Sequence, residues 1–364
     1  MNLETIKLIK PAISFFDVLP ELESIFSSGN FSSGKYNKAL QNKIKNYIGC
    51  KEVSLTTSAT TALWLCLKLL NIKANDKVLI SDFSYPATAN VVEDLGAIPI
   101  LVDVNSETFN SDAKTFEKLI SKEVKAIIFV DSLGNPSGLT EVSNLCKTFN
   151  LPLIEDAACA FGSVEGKKLC GNLADLTCFS FHPRKLICAG EGGSITTNNS
   201  KWGDWLNIKL SHGRALEKSL IPEFETFGYN FRLSEIQAAL CGNQINNLDN
   251  LIDIRRKTFE YYRQNLNKLG FKEQKVNANS KTNYQTLAFK VPKDCSRNNL
   301  IKYLKSNNIE STIGTYSISN IKYYREKYNY SNNVSKNLMD TTIALPCFEG
   351  IDAQRVVDTI KNYF

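Results

Sequence analysis

From residue 53 to residue 158 the chain alternates short apolar or β-branched runs with segments of helical period, and few architectures accept that alternation. "VSLTTS" (53–58) reads as a strand running into the helix "TTALWLCLKLL". "KVLISD" (77–82) precedes the helix-like "ATANVVEDLG", and "IPILVDV" (98–104) follows it. "VKAIIFVD" (124–131), the helix "LTEVSNLCKTFN" and the strand "LPLIEDAA" (151–158) complete the series. The predicted fold class is therefore α/β: a doubly wound, mainly parallel sheet with its ligand-binding loops at one edge. From Glu235 a helical pattern carries Ile236, Leu240, Ile245 and Leu248 along one apolar side, which predicts one long connecting helix. On this reading residues 1–245 form a large domain and residues 246–364 a smaller C-terminal α+β domain joined by that helix. The smaller part holds "YQTLAFKV", "RNNLIKYLKSNN" and "DAQRVVDTIKNYF", while the polar "SNNVSKNLMD" is predicted to be a surface loop.

Composition removes several classes of function. Lys and Arg total 43 against 37 Asp and Glu, a net charge of +6, but the basic residues are scattered, so no nucleic-acid partner is expected. No apolar run reaches membrane-spanning length, and "MNLETIKLIKPAISFF" lacks the basic region, apolar stretch and cleavage site of an export signal. Ten cysteines form no CxxC pair, and Cys66, Cys178 and Cys241 sit within apolar runs, as in a reducing, cytoplasmic setting. Only His182 and His212 are present, without carboxylates at ligand spacing, and no metal is expected.

Five segments offer chemistry at strand ends. In "TTSATTAL" the small residues Ser58, Ala59 and Thr60 open a helix, either as a plain cap or as a cradle for an anion such as phosphate. Asp156 ends an apolar strand, where its carboxylate needs a partner: a salt bridge, a cap, or a cationic heterocycle nitrogen. Tyr85 follows another strand, as packing or as a platform for a flat ring. "FSFHPRKLICAGEGG" carries Ser180 and then Lys185, a lysine that is either solvated or partly desolvated and nucleophilic towards carbonyls. "GYNFRLSEIQAAL" sets Asn230 and Arg232 before a helix that Ser234 helps to cap.

Taken in order, "SATTAL", "SDFSYPATANVVEDLGAIPILVDV", "EDAACAFGS", "FSFHPRKLICAGEGG", "GYNFRLSEIQAAL" and "IALPCFEGID" resemble the DegT/DnrJ/EryC1/StrS sugar aminotransferases over essentially the whole chain. That resemblance implies the PLP-dependent transferase fold type I, with a mainly parallel seven-stranded sheet between helices. It implies pyridoxal 5'-phosphate as cofactor, with pyridoxamine 5'-phosphate carrying nitrogen between two half-reactions. By the same resemblance Lys185 bonds to the cofactor aldehyde and moves protons, and Asp156 binds the pyridinium nitrogen. Tyr85 stacks on the ring, and Ser58, Ala59, Thr60 and Ser180 hold the phosphate. Asn230 reaches the phosphate of the neighbouring subunit's cofactor, which requires a homodimer with shared active sites. Arg232 fixes its segment, and His182 is read as structural.

This chain departs from the family pattern at several positions. By the resemblance Cys159 is a cofactor-binding residue near the hydroxyl edge, at a position where Gln is common, and Ala59 stands where Gly is usual. "VDSLGNP" replaces a run in which His and Tyr are frequent, so Asp131 and Leu133 are expected to alter the substrate wall. A frequent His-Tyr-Pro signature appears only as "GTYSISN" (314–320). The function implied is transfer of an amino group from an amino acid, L-glutamate, to a nucleotide-linked keto-deoxysugar for lipopolysaccharide, O-antigen or related glycoconjugate synthesis. The rivals are a pyridoxamine-phosphate-dependent sugar dehydratase, whose members carry His where Lys185 stands, and a catalytically inactive cofactor-binding regulator.

Overall fold

Seven strands, the five runs between 53 and 158 among them, pair into one sheet in the computed structural model, which describes residues 4–216 and 220–364. The strands are Glu52–Thr56 (β1), Lys77–Ser81 (β2), Ile98–Val102 (β3), Val124–Val130 (β4), Leu153–Asp156 (β5), Leu176–Ser180 (β6) and Gly193–Thr197 (β7). Their order is β1-β7-β6-β5-β4-β2-β3, and β7 alone runs against the others. The expected mainly parallel α/β sheet is therefore present. Parallel strands need both faces covered, and the alternation inside β4 shows how that is met. Ala126 and Ile128 pack with Leu63 and Val92 of the helices Ala59–Leu69 and Ala87–Asp94. Ile127 and Phe129 pack on the opposite face with Leu139, Val142 and Cys146 of Leu139–Phe149.

A second, antiparallel sheet is built from Lys272–Glu273 (β8), Leu287–Lys290 (β9), Thr312–Ile313 (β10) and Thr342–Leu345 (β11), in the order β8-β9-β11-β10. Leu287, Phe289, Ile343 and Leu345 share one face of this sheet and pack in a single core with Tyr262 and Leu266 and with Val356, Val357 and Ile360 of the terminal helix. Each such fully buried aliphatic side chain stabilises the layer by roughly 1.5–3 kcal/mol.

Two expectations change. The long connector is two helices, Glu235–Ile245 and Leu248–Leu266, because Asn246 and Asn247, poor helix formers, stand at the join and Asn247 leaves helical backbone geometry. The supposed loop at 331–340 is instead the helix Asn333–Thr341, which buries Ser335 and Leu338. Its first N–H groups are capped from far away: Val334 and Ser335 donate to Asp103 at 3.0 and 2.9 Å. Two short pairings tie the last third of the chain to the first sheet's body. Tyr316–Ser317 pairs with Phe83–Ser84, and Ser280–Lys281 with Val164–Glu165. Among the described residues no helix is long and apolar enough to cross a membrane.

Candidate active site

The parallel strands β2, β4, β5 and β6 end at one edge, and a cavity of about 590 Å³ opens there. Its floor carries Ser58, Ala59, Thr60, Asp156, Ser180 and Lys185, and the segment Thr312 to Tyr316 forms the far wall.

At the floor, β1 turns into the helix Ala59–Leu69 through Ser58, whose extended backbone and Oγ, accepting from Thr61 N at 3.1 Å, form an N-cap. The next N–H groups, those of Ala59 and Thr60, are at a helix start with no intrahelical acceptor, which with the helix dipole makes an anion site. Gly193 is what lets β7 run beneath them. A Cβ there would lie 2.6 Å from Ser58 C and 2.7 Å from Ala59 N. Ser180 stands opposite Gly193 in register, so its hydroxyl joins the same corner. Of the two alternatives open in the sequence the cap is observed, and the anion cradle would use the same helix start.

Asp156 ends β5 with 6 % of its surface exposed. Thr88 Oγ1 donates to its Oδ2 at 2.7 Å and Ala158 N to its Oδ1 at 3.2 Å. Burial pushes this carboxyl above the usual carboxylate range, and the bonds from Thr88 and Ala158 and the charge of Lys185 oppose that rise. A cation in the cavity would complete the opposition. Lys185 lies in the turn after β6, where its N–H donates to the His182 carbonyl at 2.8 Å and its Nζ donates to Cys159 Sγ at 3.1 Å. It is half-buried and lines the cavity. Tyr85, 67 % exposed, stands at the mouth with its ring edge-on to Tyr316, centroids 6.1 Å apart.

The structure brings together every predicted site residue of one subunit and separates Asn230 from them. Asn230 is exposed and outside the cavity, its backbone bridged to Ser211. Arg232 donates to Ser211 Oγ at 3.1 Å, holding its segment as expected. His182 does line the cavity, but its Nδ1 accepts from Arg184 N at 3.2 Å, and burial lowers its pKa. Leu133 forms part of the wall in a left-handed conformation, φ 63°. Asp131 does not: it turns into the interior, where Asp131, Glu155 and Cys170 bring ligand-type atoms within 4.8 Å of one another. Burial pushes the Asp131 carboxyl well above its usual range and Glu155 up as well, which favours their neutral forms.

Sequence reasoning missed Thr88 and Gln285. Thr88 could have been found by its place three residues after Tyr85, at the start of a helix. Gln285 gives no local signal: its Oε1 accepts from Leu186 N at 2.6 Å and its Nε2 donates to Arg184 O, fixing the lysine turn from the second sheet's side. Asp82, at the end of β2, is a third. It accepts from Ser317 Oγ at 2.9 Å, Ser319 N at 2.6 Å and Ser319 Oγ at 2.8 Å, and also from Ser335 Oγ, and so moors the far wall.

The architecture is that of known aminotransferase-like proteins. Spr1654 of Streptococcus pneumoniae, solved in PLP and PMP forms, superposes with TM-scores of 0.90 and 0.91 at 23% identity, covering 98% of this chain and 98% and 97% of those chains. The chain belongs to the DegT/DnrJ/EryC1/StrS aminotransferase family, whose pattern it matches over residues 17–361. It is similar to the GDP-perosamine synthase of Escherichia coli O157:H7, 29% identical over 348 residues and 94% of each chain. It is also similar to the UDP-4-amino-4,6-dideoxy-N-acetyl-beta-L-altrosamine transaminase of Campylobacter jejuni strain 81-176. That match is 36% identical over 235 residues, 64% of this chain and 62% of the relative.

Proposed function

We propose that this chain is a pyridoxal 5'-phosphate-dependent aminotransferase that carries an amino group from L-glutamate to a nucleotide-linked keto-deoxysugar used in cell-surface polysaccharide or glycoconjugate synthesis. The observation that carries the reading is the convergence of Lys185 and the buried Asp156 on one cavity beside an anion-receptive helix start. The names of the curated relatives, which act on GDP- and UDP-linked sugars, support the substrate class.

The groups present fit the cofactor. The Ala59 and Thr60 N–H groups with Ser58 and Ser180 suit its phosphate, in a corner that a Cβ on Gly193 would fill. Asp156 suits a protonated ring nitrogen, Tyr85 a ring face, and Lys185 the aldehyde. When bound, the cofactor supplies the electron sink for breaking a bond at the amino-bearing carbon. Asp156, held by Thr88 and Ala158, keeps that sink charged. Lys185 Nζ takes the proton from the donor carbon and delivers it in the half-reaction that leaves the keto acid, then repeats the exchange in reverse with the sugar. Cys159, 3.1 Å from Nζ, holds the amine on the side of the cavity where the sequence placed a cofactor contact.

A homodimer with Asn230 reaching the neighbouring subunit's site fits its exposure outside its own cavity. It also fits the exposed apolar side chains Phe15, Phe16, Phe26, Phe224 and Phe227, which a second copy would cover. A cytoplasmic setting fits ten unpaired cysteines. Mixing the protein and pyridoxal 5'-phosphate should give a visible absorbance that L-glutamate bleaches, and Lys185→Ala should abolish turnover. A colourless protein indifferent to both compounds overturns the reading.

A further inference from the structure

Arg184 is a cation whose backbone is fixed and whose guanidinium has no hydrogen-bond partner among the described residues. Its backbone is held on both sides, N–H to His182 Nδ1 at 3.2 Å and C=O from Gln285 Nε2 at 2.5 Å. The residue lines the cavity and is exposed, whereas Lys185 beside it in the chain is half-buried in the same cavity. Among the described residues its guanidinium donates no hydrogen bond and pairs with no carboxylate. Arg255, Arg297 and Arg355, by contrast, each donate to backbone carbonyls. The Arg184 charge acts on Glu310, but that carboxylate is held below its usual range first by the N–H of Leu8, at 2.9 Å, and also by Lys7 Nζ, at 3.0 Å. A guanidinium with five donors, unengaged at the mouth of a cavity, is suited to a phosphate or carboxylate that arrives with the substrate.

Depth decides which anion. The α-carboxylate of an amino-acid donor is attached to the very carbon that must reach Lys185, so its partner has to lie as deep as Nζ. The diphosphate of a nucleotide-linked sugar is separated from its reacting carbon by the sugar ring, and lies outward by that width. We propose that Arg184 binds the diphosphate of the nucleotide-linked substrate at the cavity rim, setting the sugar over Lys185. This rests on the function proposed above. It also makes the backbone clamp by Gln285 part of substrate binding, since the clamp aims the side chain.

The test uses the cofactor-loaded protein and calorimetric titration with UDP, GDP and dTDP, each beside its nucleoside. Arg184→Ala should weaken the preferred nucleoside diphosphate roughly tenfold, as for loss of one charge-assisted contact, with Arg184→Lys intermediate and the nucleoside equally bound by all three proteins. The glutamate concentration for half-maximal bleaching should move by less than about threefold. Wild-type affinity for the diphosphates in Arg184→Ala, a wild type that binds none of them, or a loss confined to glutamate overturns the proposal. Failure of the wild type to bleach with glutamate strikes the aminotransferase reading instead, and is read separately by absorbance.

Discussion

Asp131 follows β4 and Glu155 lies on the neighbouring parallel strand β5, with their carboxyls close together and away from water. Asp131 Oδ1 and Oδ2 and Glu155 Oε1 have no hydrogen-bond donor, so a proton held between the two groups is the arrangement that avoids facing charges. Both folded-state pKa values are raised, first by burial. A raised value contributes stability that is complete below the unfolded pKa of about 4, and that is lost as pH climbs through the folded value. Asp131→Asn removes one titration and offers Glu155 an N–H. The variant should therefore melt above wild type by a few degrees at about pH 8, with the gap closing towards about pH 5. Thermal unfolding across that range checks it, and a gap that widens on acidification would refute the shared proton. Lys185, Asp156, Ser58 and Ser180 each had a structural use of their own in the sequence, and it was their order along the chain, through the family resemblance, that pointed to the one cavity they line. Asp131 was misread as a wall residue because the sequence does not show which way a side chain turns after a strand. Gln285 was invisible because its partners lie about a hundred positions away in the chain.

Elements were legible where their signal is local. The strands β1 to β5 and the three helices quoted between them follow period and burial, and their ends differ from the quoted runs by no more than two residues. The helix Asn333–Thr341 was not legible, because the carboxylate that caps it, Asp103, is contributed by the residue after β3. Polar side chains such as Ser335 and Asn337 made the segment look like loop until tertiary contacts were added. Asp103→Ala should cost about 1 kcal/mol, the usual effect of losing a cap. The loss should register as faster amide exchange in 333–341, with exchange in β4 little changed. The join at Asn246 and Asn247 was equally hidden, since the apolar side of the pattern continues through it.

At the scale of the whole molecule the cavity is a joint product of distant stretches of chain, and the homodimer would add another. If Asn230 serves the neighbouring site, Lys185→Ala and Asn230→Ala, each impaired alone, should complement when refolded together. Mixed dimers restore one site with both residues intact, so about a quarter of wild-type activity is expected at equal input, and no recovery would place Asn230 outside the partner's site. The mooring of Ser317, Ser319 and Ser335 on Asp82 spans 235 to 253 positions. During synthesis on the ribosome, the helix start, the buried carboxylate and the lysine all emerge before that wall exists. Closing loops this long is slow relative to local folding. The nascent chain therefore passes through an interval in which Lys185 is made but unsheltered, and only the arrival of residues 312–347 turns an open groove into a walled cavity.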